Sequence, residues 1–412
     1  MEKTAIVLSG GGSCGAYQIG VWKALKKMHI SYQIVTGTSV GALNGVMMVQ
    51  NDYHLAKKIW SDLNYNLLFS NFENDTSLSD KQIYLKYADE FLKNGGMDVS
   101  KLESLVSKTF SSDKFYNSNV DFGMVVYNLS KLKAENIVKK DLTKDNIKDY
   151  LIASSTCYPA FKIKEIDKQK YIDGGYSDNL PINLAISLGA SKVIAVDLQQ
   201  VGFKKKVKCD VDIKYIKPRN DIGSFLIFKK EISKKNMLYG YNDTMKEFGK
   251  LKGNKYTFYK YGYDKCVEKT ANGFKQIVDN IVLDKDRVGV SELKEEILKK
   301  IFRLDDKNIR KKVIESMEFL GDISKIDDSR IYYYPYYNFR VKQKFIKEIN
   351  IDKKTLEEFI ENGAIKKNLK DVDIVVYIYN CINKNSQEID LKMLFHFFPK
   401  EFFAAIYLTV IS

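Results

Sequence analysis

Histidine is scarce in this chain, whose 412 residues include only His29, His54 and His396. A serine hydroxyl needs a base to attack near neutral pH, and histidine is the side chain that most often serves. None of the three follows a predicted sheet strand, which is where the histidine of a hydrolase triad is expected. The sequence therefore argues against chemistry that depends on a histidine base.

Cysteine is also sparse, and its spacing excludes common metal sites. The cysteines lie far apart, are odd in number and never form a C-x-x-C pair. No calcium-binding loop of the EF-hand type is present either. We therefore expect structural thiols, no metal and no other cofactor. The five cysteines are Cys14, Cys157, Cys209, Cys266 and Cys381.

Apolar runs long enough to cross a membrane are missing as well. The run at residues 402–411 is too short to span a bilayer, so it is either a packed terminal helix or a helix on a membrane surface. A strand-like run begins at Thr4, without the features of a secretory signal before it. We expect a protein of the cytoplasm, alone or in peripheral contact with a membrane.

Positive charge is abundant, but only in one half of the chain. Residues 1–200 hold 23 Lys and Arg against 21 Asp and Glu, whereas the remainder holds 43 against 31. Such an excess favours phosphate-rich surfaces, although a lysine-rich composition that serves solubility explains it as well. No nucleic-acid-binding motif accompanies the charge. We expect no nucleic-acid partner and consider an anionic membrane surface.

Alternation of strand and helix signals dominates the first 200 residues. The run Thr4–Ser9 ends in glycines before a helical pattern at Ala16–Met28, and Tyr32–Thr36 precedes a second helix. Later strand signals at Phe122–Leu129 and Lys192–Leu198 continue the pattern. It predicts an α/β fold with a mostly parallel sheet. Residues 53–118 are polar and helical in period, which indicates a cap or insertion.

Beyond residue 200 the α/β pattern weakens and helical periods take over. The length exceeds that of one usual domain. We predict a catalytic-type domain at 1–260, with its core at 4–200, and a mainly helical region at 261–412. Helices are expected at 292–304, 308–320, 342–349 and 355–362.

Two glycine-flanked turns carry the chemical signal. Gly10-Gly11-Gly12 follows the first strand and Gly37-Thr38-Ser39-Val40-Gly41 follows the second. The first also fits G-x-G-x-x-G, but no carboxylate ends the second strand to hold a ribose, which argues against a dinucleotide site. A serine on a tight turn before a helix is a candidate nucleophile, and a glycine turn can present backbone donors to an oxyanion.

Asp173 is the candidate base. It stands in the turn Tyr171-Ile172-Asp173-Gly174-Gly175, where the glycines permit a sharp reversal after a strand. Asp-Gly-Gly is an ordinary turn in most proteins. Here it supplies the proton acceptor that the histidines do not.

These motifs in this order resemble the patatin-like phospholipase family. Further similar blocks are Ala153-Ser154-Ser155, Asp178-Asn179-Leu180-Pro181, residues 188–197 and Gly240-Tyr241-Asn242-Asp243. The resemblance covers roughly residues 4–260 and implies a three-layer α/β/α fold with a Ser-Asp dyad. It implies Ser39 as nucleophile, Asp173 as base, and Gly10, Gly11 and Gly12 as the oxyanion loop, with Gly37 and Gly41 shaping the nucleophile elbow.

The resemblance also implies a function and marks one departure. We expect a serine esterase that degrades lipids, of the phospholipase A or lysophospholipase type, acting on a phospholipid or another acyl ester. Alternatives are an acyltransferase and a weakly active or partner-activated lipid-binding protein of the same fold. Many family members have Arg or Lys where this chain has Cys14, which bears on contact with a headgroup phosphate. The sequence assigns no oligomeric state.

Overall fold

The computed structural model describes residues 2–70, 78–283, 306–346, 370–383 and 391–412. The chain divides into two compact units, Met1–Phe248 and Gly249–Ser412. The boundary expected near residue 260 stays a prediction. The helices expected at 292–304 and 355–362 lie outside the described residues.

Strands and helices alternate through the first unit and helices dominate the second. The strands are β1 Thr4–Leu8, β2 Ile34–Thr38, β3 Asp121–Asn128, β4 Lys133–Val138, β5 Lys164–Ile166, β6 Gln169–Asp173, β7 Lys192–Val196, β8 Asp212–Ile216, β9 Leu251–Lys252, β10 Thr257–Tyr259 and β11 Ile331–Tyr332. The helices of the first unit are α1 Ala16–Lys27, α2 Val40–Val49, α3 Tyr53–Asp62, α4 Tyr65–Leu68, α5 Asp80–Asn94, α6 Ser100–Thr109, α7 Ser112–Asn117, α8 Ile147–Ser154, α9 Ile182–Ser187 and α10 Lys230–Glu247. Those of the second are α11 Tyr263–Leu283, α12 Asp306–Ile323, α13 Tyr334–Ile346, α14 Asp371–Asn383, α15 Leu391–Phe397 and α16 Pro399–Ile411.

A mostly parallel sheet forms the centre of the first unit, in the order β5-β6-β3-β2-β1-β7-β8. The neighbouring pairs β3–β2, β2–β1, β1–β7 and β7–β8 are parallel. β4 and β6 each pair antiparallel with β3. Alternate residues of β1 enter different cores: Ile6 and Leu8 pack with α1 and α2, whereas Ala5 and Val7 pack with α9. Helices thus cover both faces, as the predicted three-layer α/β/α fold requires.

Strands β2 and β6 both pair with β3, and their ends meet along one edge of it. β2 pairs with β3 as far as Thr38 opposite Val125, and β6 pairs with it from Asp173 opposite Val126. Because β4 occupies the other edge over the same stretch, β2 and β6 meet end to end on one edge. Thr38 and Asp173 therefore lie opposite consecutive residues of β3.

The sequence predicted the strongest elements of the first unit closely and missed others. The predicted helices at 16–28 and 147–154 and the strand at 122–129 are confirmed within one residue. The second strand runs through Gly37 to Thr38, two residues beyond its predicted end. β8 and α10 were not predicted, because β8 is a short strand with a charged start and α10 carries four lysines. α10 packs on α1 where Gly240 approaches the Tyr17 carbonyl, a contact no local pattern reveals.

The second unit has its own core, which is mainly helical as predicted. A small sheet in the order β11-β10-β9 lies beside the helices. The tyrosine-rich segment at residues 331–339 forms β11 and the start of α13; Tyr334 and Tyr337 are buried, whereas Tyr333 and Tyr336 are half exposed. Residues 402–408 of α16 are buried, which confirms the packed alternative for the terminal run. Within the described residues, no helix is both long and apolar enough to cross a membrane.

Candidate active site

Ser39 stands at the turn between β2 and α2 in a backbone conformation rare for a residue with a side chain. Its φ is 56° and its ψ is −129°. Such a conformation costs about 1–3 kcal/mol and persists only where the surroundings impose it. Gly37 and Gly41 make it feasible: a Cβ on Gly37 would lie 2.3 Å from the Gly41 carbonyl oxygen, and one on Gly41 2.3 Å from that of Leu8. Both glycines are therefore required by close backbone approach, as expected of a nucleophile elbow.

Asp173 reaches Ser39 through the shared edge of β3. The Ser39 hydroxyl lies beside the Asp173 carboxylate, close enough to lower the pKa of that group. The carboxylate accepts a hydrogen bond 2.7 Å long from the backbone N–H of Gly175, which fixes it in the turn. Gly174 permits the close approach, because a Cβ there would lie 2.2 Å from the Val125 carbonyl oxygen. The structure thus brings the two predicted dyad residues into contact.

Burial sets the proton affinity of Asp173, which is 6% exposed. Desolvation raises its pKa to about 6, and the hydrogen bonds from Ser39 and Gly175 lower it against that effect. Desolvation dominates because burial penalises the charged carboxylate. A base with a pKa near 6 is ionised at neutral pH and still has appreciable proton affinity.

The glycine turn after β1 presents backbone donors beside Ser39. Within the described residues, the N–H groups of Gly11 and Gly12 have no hydrogen-bond partner, and both glycines line the cavity described below. The Gly10 N–H is engaged, since it donates to Asn179 at its backbone oxygen and at Oδ1, each at 3.1 Å. Gly12 has φ 48°, and a Cβ there would lie 2.1 Å from the Phe225 carbonyl oxygen. In this conformation Gly11 and Gly12 are the members of the predicted loop with available amides.

Asn179 belongs to the candidate site, although the sequence assigned it no role beyond its place in the Asp178-Asn179-Leu180-Pro181 motif. It is 2% exposed and lines the cavity. Its Oδ1 holds the Gly10 amide and would lie 3.0 Å from a Cβ on Gly175, in the turn of Asp173. Asn179 therefore connects the glycine loop to the turn of the candidate base. The sequence signal was the Asp-Asn-Leu-Pro block, but nothing in it indicated the partners.

Ser154 is a second residue whose role sequence reasoning missed. Its buried hydroxyl donates to the Val125 carbonyl at 2.8 Å and accepts the Ser39 backbone N–H at 3.0 Å. It thus bridges β3 and the elbow where the β2–β3 ladder ends. Without this acceptor the Ser39 amide would be a buried unsatisfied donor.

A cavity of about 640 Å³ opens at the dyad, within the usual size range of ligand pockets. Its polar lining residues include Ser39, Asp173, Asn179, Ser155, Asn44 and Thr109. The remaining wall is mainly aliphatic and aromatic and comes from α2, α3, α6 and adjoining segments. It includes Leu43, Val46, Met47, Ile59, Trp60, Leu102, Leu105, Val106, Phe69, Phe161 and Phe228. The arrangement offers an ester to Ser39 while an apolar chain is removed from water.

The side chain of Cys14 does not line this cavity. It is fully buried, and its thiol faces the carbonyl oxygens of Ile222 at 3.7 Å and Gly223 at 3.4 Å. Desolvation raises its pKa to about 12. Cys14 therefore packs against the chain before Phe225 instead of contacting a ligand at the dyad. His29 and His54 of the same unit do not line the cavity either.

No group of three or more His, Cys, Asp or Glu side chains is arranged to hold a metal ion among the residues with described positions.

The comparison with known protein families decides the assignment. The model of the patatin-like phospholipase family matches residues 6–186, a stretch that contains Ser39, Asp173 and the glycine loop. Residues 6–186 form a patatin-like phospholipase domain. The matched stretch contains β1 from its third residue, every strand from β2 to β6, and helix α9 up to its last residue but one.

Curated relatives of the patatin-like domain are much longer proteins. Lysophospholipase nte1 of Aspergillus terreus is 28% identical over 205 residues, which cover 48% of this chain and 12% of that protein. Patatin-like phospholipase domain-containing protein 7 of Rattus norvegicus is 25% identical over 198 residues, covering 47% and 13%. The match thus spans about an eighth of the length of either relative. Among solved structures, VipD from Legionella pneumophila is similar with 14% identity and a TM-score of 0.40, covering 100% of this chain and 92% of that one.

Proposed function

We propose that this chain hydrolyses carboxylic ester bonds of lipids, with Ser39 as nucleophile and Asp173 as general base. One observation carries the proposal: the Ser39 hydroxyl and the buried Asp173 carboxylate lie beside each other in the wall of a mainly apolar cavity. The patatin-like domain and the printed names of its relatives agree with a lipid substrate.

The reaction follows from the geometry of the two turns. Asp173 accepts the Ser39 proton as Oγ attacks the ester carbonyl carbon, and the negative charge moves to the carbonyl oxygen. The amides of Gly11 and Gly12 stabilise that oxyanion, and loss of one such donor typically costs about 3–4 kcal/mol in the barrier. The alkoxide leaves with the proton from Asp173. Water then attacks the acyl-enzyme, with Asp173 again accepting its proton. As the bond between Ser39 Oγ and the acyl carbon breaks, Asp173 returns that proton to Oγ, which frees the fatty acid and restores both residues.

The cavity supports a lipid acyl chain as the part of the substrate that is bound. An acyl chain has no hydrogen-bonding groups, so an aliphatic and aromatic wall gains free energy by removing it from water. The wall below Ser39 consists mainly of such residues, including Leu43, Trp60 and Phe161. We therefore propose phospholipids or lysophospholipids as the substrate class, in line with the names of the relatives.

Hydrolysis of a medium-chain p-nitrophenyl ester, together with labelling by a fluorophosphonate probe, tests the proposal. The unaltered protein should turn over the ester and be labelled. Ser39→Ala should lose the label and lower the rate on the order of 10⁴-fold or more, because it removes the proposed nucleophile. Fatty acid release from phospholipid vesicles is then measured for the same pair.

Ser155→Ala is the matched control. Ser155 also lines the cavity, but its hydroxyl donates to the Leu151 carbonyl at 2.9 Å and serves no base. This variant should keep both label and turnover. If the unaltered protein neither reacts with the probe nor hydrolyses the ester, the proposal is wrong and a lipid-binding role replaces it.

A further inference from the structure

Three apolar side chains stand exposed at the mouth of the cavity. Val201 is 87% exposed, Phe203 61% and Tyr176 50%, yet all three border the cavity that reaches Ser39. Exposed large apolar side chains that cluster at a ligand entrance mark an interaction surface more often than isolated ones do. What distinguishes this group is that its side chains are exposed to solvent and also line the cavity of Ser39.

The backbone beneath these side chains is held in place. The Phe203 N–H donates to the Gly175 carbonyl at 2.9 Å, and the Phe203 carbonyl accepts from the Asn179 N–H at 2.5 Å. Gly202 lies against Asn179, where a Cβ would come within 2.6 Å of Cγ. The Phe203 side chain is therefore presented to solvent from a position fixed by the catalytic turn.

Exposed lysines follow directly along the chain. Lys204 is neutralised, because its Nζ lies 2.7 Å and 2.9 Å from the two carboxylate oxygens of Asp197. Lys205, Lys206 and Lys208 are exposed and form no ion pair with any described residue. Asn183 fixes this stretch, since it donates to the Lys206 carbonyl and accepts the Lys208 N–H.

We propose that Tyr176, Val201 and Phe203 with Lys205, Lys206 and Lys208, here called the mouth surface, dock this protein onto an anionic phospholipid membrane. The inference rests on the proposed lipid hydrolysis and adds where the membrane is met. The apolar side chains enter the boundary between headgroups and acyl chains, and the lysines contact anionic headgroups. An ester then moves from the bilayer to Ser39 through the mouth without crossing water.

Vesicle sedimentation of the full chain in the Ser39→Ala background tests the mouth surface without any turnover. The protein should bind vesicles of phosphatidylcholine mixed with phosphatidylserine better than phosphatidylcholine alone, and added salt should weaken the binding. Replacing Lys205, Lys206 and Lys208 with Gln should weaken binding to mixed vesicles by ~100-fold. Val201→Ser with Phe203→Ser should weaken it by ~10-fold.

A matched control uses three exposed lysines outside the mouth surface, one before β1 and two on α1. Lys3 precedes β1, and Lys23 and Lys26 lie in the last turns of α1, so their replacement with Gln makes the same change in net charge. This variant should keep vesicle binding within ~2-fold. Equal losses in both lysine variants would show a plain effect of net charge and overturn the proposal. Binding that ignores both mouth variants, or no binding by the parent, would overturn it too.

These results separate the two proposals. Ester hydrolysis by the unaltered protein tests the function, while vesicle binding of the Ser39→Ala protein tests the surface. Far-ultraviolet circular dichroism verifies that the variants fold, which is expected because the altered side chains are exposed.

Discussion

The two neighbouring strand–turn–helix units of the patatin-like domain have the same plan but different turns. The connection between β1 and α1 contains Gly10, Gly11 and Gly12, whereas the one between β2 and α2 is formed by Ser39. Within the described residues, the amides of Gly11 and Gly12 have no hydrogen-bond partner, and these glycines carry no side chains. The second connection has a side chain at φ 56°, made feasible by Gly37 and Gly41. One turn is thus built to present donors and the other to raise a hydroxyl.

The comparison teaches that neither turn is sufficient for the proposed chemistry. The base comes from a third place, because Asp173 is brought to Ser39 by pairing of β6 with β3. Two buried polar residues then tie the parts together: Asn179 holds the glycine turn and Ser154 holds the serine turn. Because the turns, the proposed base and the two supporting residues have different roles, substitutions at them should lower activity by different amounts.

Among changes that leave Ser39 in place, removal of the proposed base should lower kcat most. Asp173→Asn keeps the shape of the side chain but cannot take the proton, so we expect kcat to fall on the order of 10³-fold or more. Ester hydrolysis and fluorophosphonate labelling measure it. A variant that retains most of its activity would show that Asp173 is not the base.

The same variant should stabilise the fold, but only at pH values above the ordinary Asp pKa of 3.8. Because burial raises that pKa from 3.8 to about 6, ionisation destabilises the folded state increasingly between these pH values, and fully above them. Asp173→Asn should therefore raise the free energy of unfolding at pH 8 by at most about 3 kcal/mol and add nothing at pH 4. Urea unfolding at the two pH values measures the difference. An equal gain at both would contradict the assigned cause.

Displacement of the donors should have the next largest effect, on the glycine turn. Gly12→Ala places a Cβ 2.1 Å from the Phe225 carbonyl oxygen, so the turn has to shift and carry its amides away from the oxyanion. We expect a fall in kcat of about 10²–10³-fold with a smaller change in KM. Steady-state kinetics on a soluble ester measure both constants.

Gly95→Ala is the control for backbone strain. Gly95 has φ 72°, and a Cβ there would meet nothing within 4 Å. It shares the unfavourable φ but neither the clash nor the site, so kcat should be unchanged. If both alanine variants lower kcat alike, strain alone explains the loss and the donor role fails.

Removal of the support beneath the serine turn should have a moderate effect. Ser154→Ala leaves the buried Ser39 N–H without its acceptor, at a cost of about 1–3 kcal/mol in the free energy of unfolding. We expect kcat to fall about tenfold as the elbow loosens. Ser155→Ala removes a neighbouring hydroxyl that bonds within its own helix, and should change kcat little. Indistinguishable kinetics for the two variants would remove Ser154 from the site.

A negative charge at Asn179, which holds the glycine turn, should have the smallest effect. It should shift the pH dependence of activity. The activity of the unaltered protein should rise with pH around the Asp173 pKa of about 6. Asn179→Asp adds a carboxylate close to Asp173, and repulsion between like charges should move that rise to higher pH. The dependence of kcat/KM on pH measures the shift.

Asn183→Asp makes the same change on α9, at a residue that supports the loop at residues 206–208 instead of the dyad. Its pH profile should match that of the unaltered protein. A profile for Asn179→Asp that also stays in place would argue that Asn179 does not face the base.

Much of the fold, and the residues of the predicted site, could be predicted from local sequence. The runs at β1 and β3 and the periods of α1 and α8 were readable, because burial of alternate or every third to fourth residue acts within a few positions. β4 was missed because it is a half-exposed edge strand. β8 was missed because it is short and buried only at its last residue, and α10 because its lysines hide the apolar pattern and it packs on α1.

By itself the sequence determined the two turns. Glycine is needed wherever backbones approach too closely for a Cβ, and a serine between such glycines is visible in the primary structure as Gly37, Ser39 and Gly41. The tertiary structure decided what those turns meet. The register of β2 and β6 on one edge of β3 placed Asp173 beside Ser39, and the folding of later loops added Asn179 and the mouth surface. Short-range sterics are written in neighbouring residues, whereas the distance between remote residues depends on how strands pair and pack.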